Sequence, residues 1–147
     1  MDKRFQTFTI LINRISRNIR KIKNQEMAEY NLRSAHISCL YYLYLSEGLT
    51  ATELCELCEE DKATISRAVD YLENNGYIAG ESVVGKRYKA PLNLTKKGRE
   101  VGEKISLKID AVLKELNHNL SEEDRQRFYS SLSIISDCLE QICNQKG

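Results

Sequence analysis

Proline is nearly missing from this chain, and glycine is scarce: one Pro and seven Gly in 147 residues. That poverty argues against a loop-rich or all-β protein and leaves a mostly helical one. No apolar run is long enough to span a bilayer; the longest, "ISCLYYLYL", is well short of the ~20 residues a spanning helix needs. The N-terminus "MDKRFQTF" lacks the apolar stretch of a signal peptide, so a cytoplasmic location is expected. There is no overall charge excess, the net being +1. Five cysteines cannot complete a disulfide framework, and in an unexported chain they are expected as free thiols. Neither a catalytic constellation nor a metal-ligand set is recognisable, so no enzyme activity and no cofactor are expected.

What is there is uneven charge on helical periodicity. The first 25 residues carry Lys3, Arg4, Arg14, Arg17, Arg20, Lys21 and Lys23 against Asp2 alone. Residues 82–99 carry Lys86, Arg87, Lys89, Lys96, Lys97 and Arg99 and no acid, whereas acids gather at Glu53–Asp61 and Glu122–Asp124. The second basic region is either a solvated hairpin or a polyanion contact.

Phe5, Phe8, Ile12, Ile15, Ile19 and Ile22 recur every three or four residues, one stripe on a helix over 5–24. That stripe must bury itself within the chain or on a partner. A second helix is expected over 32–46, with Ile37, Leu40, Tyr41 and Tyr44 on one face and Leu43 beside them. Thr50 and Glu53 form a capping box, so a short helix starts at Ala51, with Leu54 and Leu57 as its core positions. Acids before "KATISRAVDYLE" and "NNG" after it bound a helix from about 61 to 75. On its wheel Ile65, Ala68, Val69 and Leu72 share one face, and Ala63, Ser66, Arg67 and Asp70 the other. The period then shortens. "YIAGES" and "YKAPLNL" read as β segments flanking "VVGKR", with Gly85 at the reversal and Pro91 marking an edge strand. Thr95 starts another helix lined by Ile105, Ile109, Val112 and Leu116. Ser121 caps the last, where Phe128, Leu132, Ile135, Leu139 and Ile142 make a coiled-coil-like seam.

The middle of this order is a helix-turn-helix followed by a hairpin, an arrangement that lays its second helix in the DNA major groove. Small and hydroxylated residues at that helix start, Ala63, Thr64 and Ser66, let the backbone approach. Arg67 suits bidentate guanine readout or a phosphate clamp, and Lys62 faces phosphate.

The stretch "LTATELCELCEEDKATISRAVDYLENNGYIAGESVVGKRYKAPLNLTKKGRE" resembles the core of the multiple antibiotic resistance regulator (MarR) family. The likeness lies in "LT-x-x-EL", "D-x-x-x-x-SRAVDYLE-x-x-GYI" and the closing "L-x-LTKKGRE". It implies a mainly α fold with a small β-hairpin wing: residues 31–99 a winged helix-turn-helix core, 1–30 and 100–147 dimerisation helices. It further implies a cytosolic homodimer on a pseudo-palindromic operator, usually a repressor relieved by a small effector, a metal or thiol oxidation. The implied DNA-binding residues are Lys62, Ala63, Thr64, Ser66 and Arg67 in the recognition helix and Lys86, Arg87 and Lys89 in the wing. Here the chain departs from the family pattern Asp-x-Arg, placing Lys86 at the Asp, Tyr88 at the Arg, and Arg87 one position early. Such a wing is expected to bind by charge more than by fixed geometry.

Other readings compete. Tyr30, Tyr41, Tyr42 and Tyr44 are core or interface aromatics, or else Tyr30, Tyr41 and Tyr44 line a pocket for a small aromatic effector. Cys55 and Cys58 form a C-x-x-C, but at a helix end among acids that should raise both thiols; they read as ordinary cysteines rather than an oxidoreductase pair. His36 and His118 stand alone, as core or cap residues. Cys138 and Cys143 would allow an intersubunit disulfide. The family's peroxide sensors carry their cysteine in the first helix, where this chain has none. The alternatives to a DNA-binding regulator are thus a helical dimer using the winged domain for protein contacts and a thiol-based redox sensor.

Overall fold

The computed structural model describes residues 3–80 and 89–146. The chain divides into two units, Met1–Lys108 and Ile109–Gly147. Six helices are described: α1 (Lys3–Glu26), α2 (Ser34–Leu45), α3 (Ala51–Cys58), α4 (Lys62–Asn74), α5 (Lys96–Asn117) and α6 (Glu122–Lys146). A single 3-10 turn, Ala28–Tyr30, joins α1 to α2. No helix among the described residues is long and apolar enough to cross a membrane.

The core of the first unit is assembled around α2. Ile37, Leu40 and Leu43 are buried as expected, but so are Ser38 and Cys39, because α2 is packed by α1, α3 and α4 on several sides. Ile65, Ala68, Val69 and Leu72 form the buried face of α4, as the wheel requires. Met27, Leu32, Ile78 and Ile105 complete this core.

The Thr50 capping box is formed. The Glu53 amide donates to Thr50 Oγ1 at 3.2 Å, and the Thr50 amide donates to Glu53 Oε2 at 2.8 Å. Thr50→Ala should therefore cost about 1 kcal/mol, read as a lower urea midpoint at unchanged slope. Leu57, expected in the core, is 44% exposed. The buried face of α3 is set by Ala51 and Leu54, with Cys58 half-buried on the same side. At ~100° per residue Leu57 lies roughly a quarter turn or more from the centre of that face.

Helix α4 ends in a Schellman motif. Gly76, at φ 78, reverses the chain. Its amide donates to the Glu73 carbonyl at 3.1 Å, and the Tyr77 amide donates to the Leu72 carbonyl at 2.8 Å. Of the two expected β segments, the described residues show one antiparallel bridge, Ile78 to Leu94. It is extended by the Ala79 amide donating to the Asn93 carbonyl at 2.9 Å. The hairpin tip, with Gly85, Lys86, Arg87 and Tyr88, lies outside the described residues. On the return, the Leu92 amide donates to the Leu49 carbonyl at 2.9 Å, tying the hairpin base to the segment before α3.

Thr95 then organises the start of α5. Its hydroxyl donates to the Gly76 carbonyl at 2.6 Å and accepts from the Gly98 amide at 3.1 Å. Gly98 sits where a β-carbon would lie 2.0 Å from the Tyr77 carbonyl oxygen. One turn on, Gly102 packs against Tyr44, where a β-carbon would meet the Tyr44 Cβ at 2.9 Å.

Among the described residues, much of the stripe on each outer helix is exposed. Ile15 and Ile19 of α1 are 48% and 50% exposed, and Leu139 and Ile142 of α6 are each 50% exposed. Ile105 of α5 is buried, Ile109 and Val112 are half-buried, and Leu116 is 56% exposed.

Candidate nucleic-acid interface

The segment joining α3 to α4 is three residues long and tightly bonded. Glu59 takes the left-handed conformation at φ 53, and the Glu60 amide returns to the Cys55 carbonyl at 3.2 Å. Asp61 is the N-cap of α4, its carboxylate accepting from the Thr64 amide at 2.7 Å. That amide, the Thr64 hydroxyl and the Arg67 guanidinium hold the Asp61 carboxyl below the usual range, so it stays ionised. The sequence marked this point only as an acidic helix start; the cap itself is an added site residue.

Arg67 is exposed and leans back along the helix, its Nη2 lying 3.4 Å from Thr64 Oγ1. Lys62 and Ala63 are exposed, while Thr64 and Ser66 are half-buried. Thus the five residues named from the sequence share the first two turns of α4, opposite Ile65, Ala68, Val69 and Leu72. Nothing large and apolar stands among them.

The far half of α4 is tethered to the ground beneath it. The Tyr71 hydroxyl donates to the Asn31 carbonyl at 2.8 Å, and the Tyr71 ring stacks on His36 with centroids 4.2 Å apart. His36 also caps α2, its Nδ1 accepting from the Arg33 amide at 3.0 Å. Partial burial, helped by Arg33, pushes the imidazole down and favours its neutral form. Of the two roles anticipated for His36, core or cap, the structure shows the cap, with a second job that no sequence spacing indicated: Tyr71 and His36 meet across 35 positions only because α2 and α4 pack together.

Of the wing residues named, only Lys89 is described, and it is exposed. The tyrosines are dispersed among separate neighbours. Tyr30 accepts from Lys104 Nζ at 2.9 Å, Tyr41 meets Tyr42 edge-on with centroids 5.4 Å apart, and Tyr44 abuts Gly102.

Comparison with known proteins gives this geometry its context. Residues 30–87 match the sequence model of the MarR family. The uncharacterized HTH-type transcriptional regulator YwoH of Bacillus subtilis (strain 168) is 29% identical over 117 residues, covering 80% of this chain and 85% of that protein. The MepR–DNA complex of Staphylococcus aureus has a similar fold, with a TM-score of 0.80 at 22% identity over 90% of this chain and 97% of that one. So does S. aureus MarR in complex with salicylate and kanamycin, at 0.80 and 20% identity over 95% of each chain.

Proposed function

From the match of residues 30–87 to the MarR family model, we propose that this chain is a transcriptional regulator of that family, that it binds a pseudo-palindromic operator in double-stranded DNA as a cytoplasmic homodimer, and that it represses transcription until a small effector releases it. The observation that carries the reading is α4. Its buried face and the Tyr71 tether fix the helix, its Asp61 cap fixes the first turn, and Lys62, Ala63, Thr64, Ser66 and Arg67 face outward from it. A surface of small, hydroxylated and basic residues on a rigid helix suits close approach to base edges and phosphates. The proposed wing, with Lys86, Arg87 and Lys89, follows directly in the chain and adds charge.

The dimer reading rests on the exposed stripes of residues 1–30 and 100–147. Ile15, Ile19, Leu139 and Ile142 are about half exposed, more apolar surface than a solitary helical chain leaves in water. Two copies of the core at residues 31–99 would then present two α4 helices to successive major grooves. The effector would be a small aromatic molecule meeting one or more of Tyr30, Tyr41 and Tyr44, each of which is half-buried.

Titration of the purified protein on its own upstream DNA, from about 50 to 200 mM salt, tests the reading. Affinity should fall steeply with salt, and random duplex should bind about a thousandfold more weakly or worse. Salt-independent binding, or equal affinity for random duplex, would overturn it.

A further inference from the structure

The far half of α4 rests on a polar contact that contains a titratable ring. His36 lies in the first turn of α2 and is half-buried. Its Nδ1 accepts from the Arg33 amide at 3.0 Å, closing that turn. Its ring lies nearly flat on Tyr71, with centroids 4.2 Å apart and planes 18° from parallel. The Tyr71 hydroxyl donates to the Asn31 carbonyl at 2.8 Å. Asn31 is itself held in the left-handed conformation, at φ 57, with its amide bonded to the Ala28 carbonyl at 3.0 Å. One imidazole thus serves both the start of α2 and the helix that carries Arg67.

We propose that His36 is a positioning residue for operator binding, holding α4 through Tyr71 only while its imidazole is neutral; this rests on the reading of α4 as the DNA-facing helix. The reason lies in the donor count. A neutral imidazole has one nitrogen with a free lone pair, and here that nitrogen is Nδ1, because it accepts. The imidazolium has two N–H groups and no acceptor. Turning the ring over would bring a C–H to the amide, which is no better. On protonation two donors would therefore face each other across a 3.0 Å contact, and the ring or the Arg33 amide must move. A cation over the Tyr71 face is attracted to it, but that attraction does not restore the cap. Either the ring shifts in the stack or the first turn of α2 opens. Both movements disturb the ground on which Tyr71 holds α4.

The surrounding groups set the direction. Burial first, and then Arg33 on the same turn, hold the imidazole below its ordinary range. From α4 the titratable group against the ring is Tyr71, flanked in the chain by the half-buried Asp70 and Glu73, whose pull does not outweigh burial and Arg33. From α1, Asn24 bonds to the same turn, accepting from the Ser34 amide at 2.8 Å, and carries no charge. Because the folded value lies below the unfolded one, the neutral contact stabilises the fold at neutral pH. That contribution is lost as the pH falls from about 6.5 through the lowered value. Operator affinity should fall with it. Charge alone predicts the opposite, since a new cation on the protein favours a polyanion. The two effects are separable by sign.

The test measures affinity for a duplex of the protein's own upstream DNA and for a random duplex, at one salt concentration, from about pH 7.5 down to about pH 5.5. His36→Gln is the variant that decides. Glutamine at this capping-box position can accept from the Arg33 amide and cannot titrate. At neutral pH the two proteins should bind the upstream duplex alike. At the acid end the unmutated chain should bind it about threefold or more weakly than His36→Gln. Tyr71→Phe keeps the stacked ring and loses the bond to Asn31, so it should bind more weakly throughout while keeping the pH dependence. Parallel profiles in the unmutated chain and His36→Gln, acid binding tighter in the unmutated chain than in that variant, or unchanged affinity in Tyr71→Phe would each overturn the inference and leave the DNA reading standing. Equal affinity of the unmutated chain for both duplexes at neutral pH would overturn the DNA reading, and this one with it. Should His36→Gln fail to fold, NMR of the unmutated chain decides: the Arg33 amide proton should move upfield as the imidazole titrates, and an amide that stays in place would overturn the inference.

Discussion

Arg67→Ala should lower operator affinity by about 1–3 kcal/mol per recognition helix, roughly tenfold or more, without changing the melting temperature or the oligomeric state. The side chain is exposed and contributes nothing to the core; within the chain it meets Thr64 Oγ1 at 3.4 Å, a long and weak contact, and attracts the exposed Asp61 carboxylate through solvent-screened charge. Stability should therefore be blind to its removal while DNA is not. Arg67→Lys separates the two roles open to the residue. A phosphate clamp survives the exchange, because an ammonium still meets one oxygen. Bidentate guanine readout does not, because the fork of donors is gone. In the first case Arg67→Ala lowers the salt slope by about one while leaving sequence preference intact. In the second it relaxes preference at one base pair of each half-site. A titration series over operators varied at single positions distinguishes them. Unchanged affinity in Arg67→Ala would remove the α4 face from the interface altogether.

Gly98→Ala should be among the most damaging single changes in the chain, although alanine is normally the better residue in a helix by about 1 kcal/mol. The added β-carbon would stand 2.0 Å from the Tyr77 carbonyl oxygen, 3.0 Å from its carbon and 3.2 Å from Leu94 Cδ2. Those neighbours cannot step aside cheaply. The Tyr77 carbonyl accepts from the Thr95 amide at 3.0 Å and from the Thr95 hydroxyl at 3.2 Å, and Leu94 is one side of the bridge to Ile78. Relief requires α5 to back away from the hairpin base, breaking the Thr95 hub. A loss of about 3 kcal/mol or more is expected, seen as a fall of roughly 10 °C in the melting temperature. A melting temperature equal to or above that of the unmutated chain would show that α5 does not sit against Tyr77 in this way.

These two residues differ in how far the sequence reveals them. Arg67 is legible because helical periodicity assigns faces: once Ile65, Val69 and Leu72 point inward, Arg67 must point outward. The same logic located all six helices, the Thr50 capping box and the glycine stop at Gly76. Gly98 was passed over inside "KKGRE", because the closeness that demands glycine comes from Tyr77, more than twenty positions away and on another element. Leu57 failed for a related reason. Its hydrophobicity suggested the core, but a two-turn helix buries one narrow face, and Ala51 and Leu54 had already claimed it. The C-x-x-C reading weighed only neighbours in sequence. The acids are real, but Cys58 is drawn down first by Cys39, pushed back up by burial, and drawn down again by Lys23, and both side chains are brought in by tertiary packing. Tyr71 and His36 belong to the same class. Local chemistry and period are written along the chain; juxtaposition across elements is not.

The bridge between Ile78 and Leu94 and the tie from Leu92 to Leu49 have one more consequence. They close a loop and hold its ends, so what that closure costs depends on the loop's length far more than on its wording. The entropic cost grows only as the logarithm of that length, and doubling it adds about 0.6 kcal/mol. The energetics of the bonded base at Ile78, Leu94, Leu92 and Leu49 thus depend little on how many residues lie between its two sides. A change in the length of that segment would therefore leave the folding of the core almost untouched.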